Sequence, residues 1–399
     1  MEFKEPIYER EYMINVTIDD VLAKNMIDEC ARLVSSKHRM PGVDNIDSEK
    51  FPAWWIENKE QILESIRNGS YIPHAAFLVM ISKNASSKKR RLEIPCMVDK
   101  VIETAIHKTL SPEFDKTFSV NSYGFISGRG TSPALYKCLE FLNGGKQYIL
   151  DLDIASFFDN VSHEPIKKRL GEELCDEILK ELIIKYMRTR VVTRNGAVYA
   201  KRKGVSQGSP LSPLLANIAL DRLDKELDWR NIKYVRYADD IAIFCDCKKE
   251  AIDTLIFVNS YLSNELHLYL NKEKTKVVKP EEFKFLGYSF TKMNGKYVFA
   301  VDNENVEKVK VKIEKHLNCK RKQTDIDRIN RIGAFNRGWL NYYMLAEENS
   351  LFRLIKCADR TELNILREMV VNNTELVKCL YDSKQFVSME EWYNTILSR

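Results

Sequence analysis

Two adjacent carboxylates, Asp239 and Asp240, interrupt an otherwise apolar and β-branched run, YVRYADDIAIF. Aspartate is a poor strand former, and neighbouring like charges repel each other. The flanking runs predict two strands joined by a tight turn, which would anchor the pair in a sheet and point both carboxylates outward. Hard oxygen ligands suit Mg²⁺, and a bound cation would relieve the repulsion. A solvated turn without metal is the alternative for this stretch taken alone.

A second strand-like run, LDLDIASFFD, carries further carboxylates into a turn: Asp151, Asp153 and Asp159. Asp153 precedes Asp239 by 86 residues. Two separate strands that each deliver carboxylates at an apolar-to-turn junction are what a two-metal phosphoryl-transfer site requires. The neighbouring Phe157 and Phe158 could stack under an incoming sugar, with ordinary core packing as the alternative.

Composition places the chain among globular proteins and sets few other limits. Its 399 residues are 44% apolar and 30% charged, with a formal net charge of +5 that is compatible with a polyanionic partner but does not require one. No apolar run is long enough to span a membrane, and the first residues carry no signal-peptide pattern, so we expect a cytoplasmic protein. The nine cysteines are scattered, and Cys245 and Cys247 are the one close pair. Because a single pair without a second is weak evidence for zinc, we expect buried free thiols.

Helical and strand-like patterns alternate along the chain, which predicts an α+β protein. Residues 1–75 and 97–143 are mainly helical, and the Gly-rich stretch NSYGFISGRGTSP predicts a loop within the second. AAFLVMI, the basic SKNASSKKRR and LEIP predict one hairpin, and Asn195-Gly196 predicts the turn of another. A helix is expected over Lys249–Leu266, strands around EEFKFLGYSF and KYVFAV, and helices after residue 303.

A third piece, QGSPLSPLLANI, predicts a rigid turn before a helix, where Gly208 would let the backbone approach a ligand closely. In this order, the three pieces resemble the reverse transcriptase family. LDLDIASFFD looks like its first palm strand, SQGSPLSPLLANIAL like its template and nucleotide loop, and YADD like its metal-binding turn. The resemblance is closest to the group II intron type and covers roughly residues 38–345. Its further motifs are PGVD, NGSY-IP, RRLEIPCMVDKVIETAI, NSYGF-S-GRG, FFDNVSH, LYLNKEKTKVV, EEFKFLGYSF and FNRGWLNYY.

The resemblance implies a role for each matching position. The catalytic and metal-binding residues would be Asp153, Asp239 and Asp240, with Asp240 the weaker ligand and Ile154 beside them in the metal set. Phe158 would be the gate that disfavours a 2′-hydroxyl, and Gln207 would contact the nascent base pair. The remaining substrate-binding residues would be Lys83, Arg90, Arg91, Gly208, Ala238 and Lys274, with a solvated basic tip as the alternative for the fingers cations. Phe285, Leu286 and Gly287 would form the primer grip.

The implied architecture is a right-hand polymerase fold with fingers, a palm with an antiparallel sheet, and an α-helical thumb. The expected segments are a helical extension over 1–72, fingers over 73–145, palm over 146–300, thumb over 301–346 and a helical tail over 347–399. Residues 307–337 carry ten basic and four acidic side chains, which suits a thumb that follows a duplex backbone, although a solvated helix face is the alternative.

The implied cofactor is a pair of Mg²⁺ ions, with Mn²⁺ as a substitute, and the implied partners are an RNA template, a DNA primer or cDNA, and dNTPs. No membrane partner is expected, and a homo-oligomer is left open. Two departures, ISK in the fingers and Ser after Gln-Gly, are compatible with activity. Residues 346–399 carry seven basic and nine acidic side chains, and Ser388 with Glu391 predicts a capping box before a last helix.

This acidic tail, which lacks zinc-type cysteine spacing, favours a domesticated antiphage enzyme acting on a dedicated noncoding RNA. A group II intron maturase and reverse transcriptase is the main alternative. An RNA-binding splicing cofactor and template-independent or protein-primed synthesis are further alternatives. The three carboxylates argue against a purely binding role, because a binder gains nothing from such a charge cluster.

Overall fold

The computed structural model describes residues 13–37, 40–82, 89–317 and 325–371, together with residues 388 and 394. Within these ranges the elements are, in chain order, α1 (Ile18–Val21), α2 (Lys24–Ser35), α3 (Phe51–Arg67), β1 (Ala76–Ser82), β2 (Lys89–Ile94), α4 (Met97–Phe114), α5 (Thr131–Asn143), β3 (Tyr148–Asp153), α6 (Phe157–Asn160), α7 (His163–Glu173), α8 (Glu177–Met187), β4 (Val191–Val192), β5 (Val198–Tyr199), α9 (Ser212–Trp229), β6 (Lys233–Tyr237), β7 (Asp240–Cys245), α10 (Lys248–Tyr261), β8 (Lys276–Val278), β9 (Lys284–Phe285), β10 (Tyr288–Met293), β11 (Lys296–Val301), α11 (Asn303–Leu317), α12 (Asp325–Tyr343) and α13 (Glu348–Val371).

Several helices begin where the sequence offers a cap. Thr17 forms a capping box at the start of α1, and Asp176 accepts a hydrogen bond from the Leu179 amide at the start of α8. Helix α9 begins at Ser212 with a proline in its first turn, as the Ser-Pro run predicts. Helices α4 and α9 have buried residues around most of their circumference, so they form much of the core.

Three sheets organise the strands. The first has the order β2-β1-β4-β5; β1 pairs with β2 in antiparallel register and with β4 in parallel register. The second, in the order β6-β7-β3-β8, is the site sheet, because it carries both aspartate-bearing runs. The third has the order β11-β10-β9 and is antiparallel. The hairpins predicted at β1–β2 and at Asn195-Gly196 are both confirmed.

The chain divides into two compact units. The first comprises Met1–Ala134 and Leu150–Val277, and it holds the first sheet and most of the site sheet. The second comprises Leu135–Ile149 and Val278–Arg399, and it holds the third sheet with α11, α12 and α13. The finer limits at residues 72, 145, 300 and 346 stay a prediction.

Some expectations differ from the structure or lie outside the residues it describes. The helix predicted to reach Leu266 ends at Tyr261 and widens into one π-helical turn, Leu262–Leu266, which closes at His267 in the left-handed region. Lys83, Glu391 and most of the final helix predicted after Ser388 fall outside the residues whose structure is described.

The cysteines are only partly as expected. The seven that the structure describes are all free, but Cys175 and Cys247 are exposed rather than buried. Cys247 instead lies at the N-terminus of α10, where its sulfur accepts a hydrogen bond from the Glu250 amide at 3.5 Å. In the described part of the chain, none of the helices combines the length and apolarity needed to cross a membrane.

Candidate active site

The β6–β7 hairpin presents the Asp pair at a two-residue turn. Tyr237 pairs with Asp240, so Ala238 and Asp239 form the turn and Asp240 begins β7. Ala238 has φ of +57°, a left-handed conformation that costs a non-glycine residue on the order of 1 kcal/mol or more. A strained turn of this kind persists only where the surrounding residues hold it.

A buried polar network holds this turn from below. Arg236, which is fully buried, donates to both carboxylate oxygens of Asp224, to the side-chain oxygen of Asn217 and, at 3.1 Å, to the carbonyl of Ala238. Asn217 in turn donates to the carbonyl of Gly124 at 2.9 Å. A β-carbon on Gly124 would lie 2.4 Å from the Ala238 amide nitrogen, so only glycine fits there. Sequence reasoning missed this network, although an arginine inside an apolar strand was a signal.

The end of β3 is fixed by the loop that precedes β8. The carbonyl of Asp153 accepts from the Asn271 amide at 2.8 Å, and the Ala155 amide donates to the Tyr269 carbonyl at 2.8 Å. Lys274 Nζ lies 2.7 Å from Asp153 Oδ2. The loop therefore places a cation directly against the carboxylate predicted to bind metal.

The carboxylates of both runs share one electrostatic environment. The pKa of Asp240 is raised to about 6, first by desolvation and then by repulsion from Asp239, Asp151 and Asp153. Desolvation also raises the pKa of Asp151 to about 6, with Asp153 adding to the shift and Lys276 opposing it. The structure therefore brings Asp153, Asp239 and Asp240 together, and it adds Asp151, which the resemblance did not assign.

This donor set fits a divalent metal ion. Carboxylate oxygens are the ligands that hard cations prefer, and their mutual repulsion is what such a cation would relieve. The side chain of Ile154 is buried and apolar, so only its main-chain carbonyl could serve as a ligand. On either side of Ile154, the carbonyl of Asp153 and the amide of Ala155 form main-chain hydrogen bonds.

A second group of predicted residues meets at β2. Arg90 Nε donates to Gln207 Oε1 at 2.8 Å, and the Gln207 carbonyl accepts from the Glu93 amide at 2.9 Å. A β-carbon on Gly208, whose φ is +124°, would lie 2.6 Å from the Glu93 carbonyl oxygen. Glycine is therefore required at position 208 because the loop backbone packs closely against β2. The sequence had predicted that the backbone would approach a ligand there. Arg91 neighbours Arg90 in β2, and its guanidinium lies 4.0 Å from Glu93.

Buried polar side chains fasten the loop that carries Gln207. Lys201 forms an ion pair with Glu93 and donates to Ser206 Oγ at 2.8 Å. Ser209 Oγ donates to Glu103 Oε1 at 2.7 Å, and burial raises the pKa of Glu103 to about 8. The loop is thus held at both ends, and the sequence alone did not indicate these partners, which lie about a hundred residues away.

Phe158 follows the site sheet in α6. Its ring packs edge-on against the buried Phe157 at 5.3 Å between centroids, while Phe158 itself is partly exposed. The Phe158 carbonyl accepts from the Val205 amide at 2.8 Å, so its backbone is tied to the segment that leads to Gln207. One ring is therefore in the core and the other is accessible, as a gate requires.

The predicted primer grip is a hairpin turn in the second unit. Phe285 pairs with Tyr288, and the two turn residues, Leu286 and Gly287, have φ of +47° and +78°, as in a type I′ turn. Tyr342 donates to the Leu286 carbonyl at 2.5 Å, and the Asn305 side chain donates to the Gly287 carbonyl at 2.7 Å. Leucine is strained in this conformation, and these contacts from α11 and α12 hold the turn in place.

The chain is similar over much of its length to a known protein family. Residues 81–290 match the family model described as reverse transcriptase (RNA-dependent DNA polymerase), which is more than half of the chain. The chain belongs to the reverse transcriptase family. The right-hand polymerase fold and the enzyme class predicted from the sequence are thereby confirmed, and membership implies a nucleic acid template, a primer and divalent metal ions. The roles assigned to single residues stay predictions.

Individual relatives are similar to this chain at 25–32% identity. The Escherichia coli K12 protein YkfC is 26% identical over 310 residues, which cover 67% of this chain and 81% of that protein. Group II intron-encoded protein LtrA of Lactococcus lactis is 32% identical over 180 residues, which cover 45% of this chain but 30% of LtrA. Retron Ec86 reverse transcriptase of Escherichia coli is 25% identical over 226 residues, which cover 55% of this chain and 62% of that protein.

Among solved structures, a chain of a partial Cas6-RT-Cas1–Cas2 complex is similar to part of this protein. The similarity has a TM-score of 0.41 at 22% sequence identity, and it covers 62% of this chain and 42% of that chain.

Proposed function

We propose that this reverse transcriptase extends a DNA primer on an RNA template with two Mg²⁺ ions held by Asp153 and Asp239. The observation that carries the proposal is the convergence of the two aspartate-bearing strands in the site sheet, where Asp240 is affected by the charges of Asp239, Asp151 and Asp153. Metal ions bound there would activate the primer 3′-hydroxyl and neutralise charge on the triphosphate and the departing pyrophosphate.

The basic side chains around the carboxylates would handle the phosphates. Lys274 lies against Asp153 and is half-exposed, so it can exchange this carboxylate for a phosphate oxygen once a metal ion neutralises Asp153. Arg90 donates a hydrogen bond to Gln207. The guanidinium that would bind phosphate and the side chain that would contact the nascent base pair would therefore lie side by side. Phe158 would exclude the 2′-hydroxyl of a ribonucleotide by occupying its space.

A primer-extension assay on matched RNA and DNA templates tests this activity. We expect dNTP incorporation on the RNA template in Mg²⁺, its loss on chelation with EDTA, and its recovery when Mg²⁺ is restored. Substituting Mn²⁺ should also support incorporation, because the ligands are hard oxygen atoms. Incorporation that continues in EDTA, or that occurs only without a template, would contradict the proposal.

For the biological setting we propose a domesticated cytoplasmic enzyme that copies a dedicated noncoding RNA in antiphage defence. Support comes from the alignment with Retron Ec86 reverse transcriptase, which spans 62% of that protein. A group II intron maturase is the second candidate, and the 32% identity with LtrA favours it. Sequencing the RNA and cDNA that copurify with the protein separates them: one structured noncoding RNA with discrete cDNA supports the first, and a spliced intron lariat supports the second.

A further inference from the structure

Three side chains of different donor chemistry converge in the first unit, apart from the carboxylates of the active site. His74 precedes β1, Cys96 is the N-cap residue of α4, and Asp99 lies in the first turn of that helix. One donor atom from each lies within 4.8 Å of the other two. Across the residues that the structure describes, this is the one place where three histidine, cysteine, aspartate or glutamate side chains meet so closely.

Burial and hydrogen bonds fix the carboxylate of this group. Asp99 is 1% exposed, and its Oδ1 accepts from the hydroxyls of Tyr71 at 2.7 Å and Tyr186 at 3.2 Å. Its Oδ2 faces His74, with 3.0 Å to the ring nitrogen Nδ1. Metal-binding side chains are oriented by outer hydrogen bonds of this kind, here supplied by the two tyrosines. One carboxylate oxygen is thus held by the two tyrosines, while the other faces the imidazole and also accepts from the His74 backbone amide at 3.2 Å.

A fourth donor lies on the segment that packs against Cys96. A β-carbon on Gly42 would lie 2.7 Å from Cys96 Sγ, so the backbone of this segment runs directly over the thiol. Two residues later, the charge of Asp44 acts on both Cys96 and His74. The set therefore offers one nitrogen, one sulfur and two carboxylates, and the partly exposed His74 opens it to solvent.

We propose that His74, Cys96 and Asp99, completed by Asp44, form a zinc site that ties the segment around Asp44 and the start of β1 to helix α4. Zinc accepts these donor types and prefers four ligands in a tetrahedron. Its usual bond lengths separate ligand atoms by about 3.3–3.6 Å, which the 4.8 Å cluster reaches through small side-chain movements.

Binding would exchange interactions already present. Zinc would replace the hydrogen bond between His74 Nδ1 and Asp99 Oδ2, and Cys96 would lose its thiol proton to solvent as its sulfur bonds the metal. No electrons are transferred. Because three separated segments supply the ligands, the metal would stabilise the folded chain and bind the unfolded chain poorly.

The test uses the full chain, stripped of metal and then titrated with Zn²⁺ or Co²⁺ in a large excess of Mg²⁺, so that the active-site carboxylates are saturated. We expect about one tightly bound Zn²⁺ per chain. With Co²⁺ we expect a thiolate-to-metal charge-transfer band, which an oxygen-only site cannot give. A wild-type protein that retains no zinc, or whose Co²⁺ spectrum lacks the thiolate band, overturns the proposal.

Variants locate the site. Cys96→Ser should abolish the Co²⁺ thiolate band, and His74→Gln should weaken metal binding at least about tenfold. Cys175→Ser and Cys247→Ser, which change exposed thiols, are the matched controls and should leave the band unchanged. His74 is partly exposed, so His74→Gln should fold, and circular dichroism checks this. A band that survives Cys96→Ser, or undiminished affinity in a folded His74→Gln protein, means that these residues form only a hydrogen-bonded hub.

Discussion

At the scale of single residues, the site depends on charges that the fold holds close together. Asp153, Asp239, Asp240 and Asp151 repel one another, and Lys274 offsets part of this repulsion from the end of its loop. Such crowding of carboxylates destabilises the folded protein when no cation is bound, and it favours the binding of a cation. Asp239 lies in the strained turn and Asp240 begins the strand, and the resemblance to reverse transcriptases makes Asp239 the stronger metal ligand of the two.

Phe158 is the residue where sugar discrimination can be tested by itself. Replacing it by valine should raise the relative kcat/KM for rNTPs at least about tenfold, because a gap opens where the ring would meet the 2′-hydroxyl; a tenfold change corresponds to about 1.4 kcal/mol of steric exclusion. Single-nucleotide incorporation of paired rNTP and dNTP substrates measures it. Phe158→Tyr keeps the ring and should keep the discrimination. Equal selectivity in the valine variant and the wild type would remove Phe158 from the gate.

Glu103 should make stability depend on pH. Burial raises its pKa from 4.5 to about 8, so between these values the folded protein holds a proton that the unfolded chain has lost. The free energy of unfolding therefore falls as pH rises through this window, by on the order of 1 kcal/mol per pH unit at most, and levels off above it.

Glu103→Gln should remove this dependence and leave the protein more stable than wild type at pH 8. Urea denaturation at pH 5, 6.5 and 8 measures the difference between the two proteins. Glu60→Gln, at an exposed position of α3, is the control and should follow the wild-type curve. Parallel curves for Glu103→Gln and wild type would show that this carboxyl is ionised in the folded protein.

At the scale of elements, the loop that carries Gln207 is positioned by its packing against β2. Gly208→Ala would place a β-carbon 2.6 Å from the Glu93 carbonyl and would force the loop away from the strand. Because Gln207 moves with it, we expect kcat/KM for dNTPs to fall about tenfold or more. Gly196→Ala is the matched control: its φ is +82°, but its β-carbon would meet nothing within 4 Å. Similar activity in both variants would mean that packing against β2 does not position the loop.

At the scale of the whole molecule, the thumb hypothesis concerns nucleic acid binding. Helix α11 buries Val309 and Ile313, while Lys310 and Lys315 on it are exposed. Removing one lysine that binds a phosphate should lower the slope of log affinity against log salt by about 0.7–0.9. Lys310→Ala with Lys315→Ala should therefore reduce the slope for an RNA–DNA duplex by about 1 to 2, measured by fluorescence anisotropy.

The matched control for the thumb is a pair of exposed lysines on another helix. Lys248→Ala with Lys249→Ala removes the same charge from α10 and should leave the salt slope unchanged. If both double variants lower the slope equally, binding follows net charge rather than the thumb surface, and the solvated-face alternative holds.

Sequence patterns predicted the strands and turns that depend on residues close together in the chain. The hairpin around Asp239, the strand that ends at Asp153 and the turn at Asn195-Gly196 each follow from local alternation and turn residues, and the structure contains all three. The resemblance also predicted that distant aspartates would meet.

Local pattern could not reveal partners that tertiary packing brings together. Arg236 in β6 donates to Asp224 in α9, and Lys201 donates to Glu93, which is 108 residues away in the sequence. Gly208 shows the same limit, since its conformational freedom was foreseen but the strand it packs against was not. A pattern shows which residues are unusual, whereas packing determines what they touch.

The central claim is that Asp153 and Asp239 hold the catalytic metal ions, and single-turnover primer extension on an RNA template tests it most directly. Asp153→Asn and Asp239→Asn keep the side-chain shape but remove the charge, so each should slow incorporation at least about a hundredfold at saturating Mg²⁺, while template–primer affinity stays within about twofold. Asp253→Asn, at an exposed position of α10, is the control and should match wild type. If either site variant folds, binds template and incorporates dNTPs at the wild-type rate, the metal assignment is wrong.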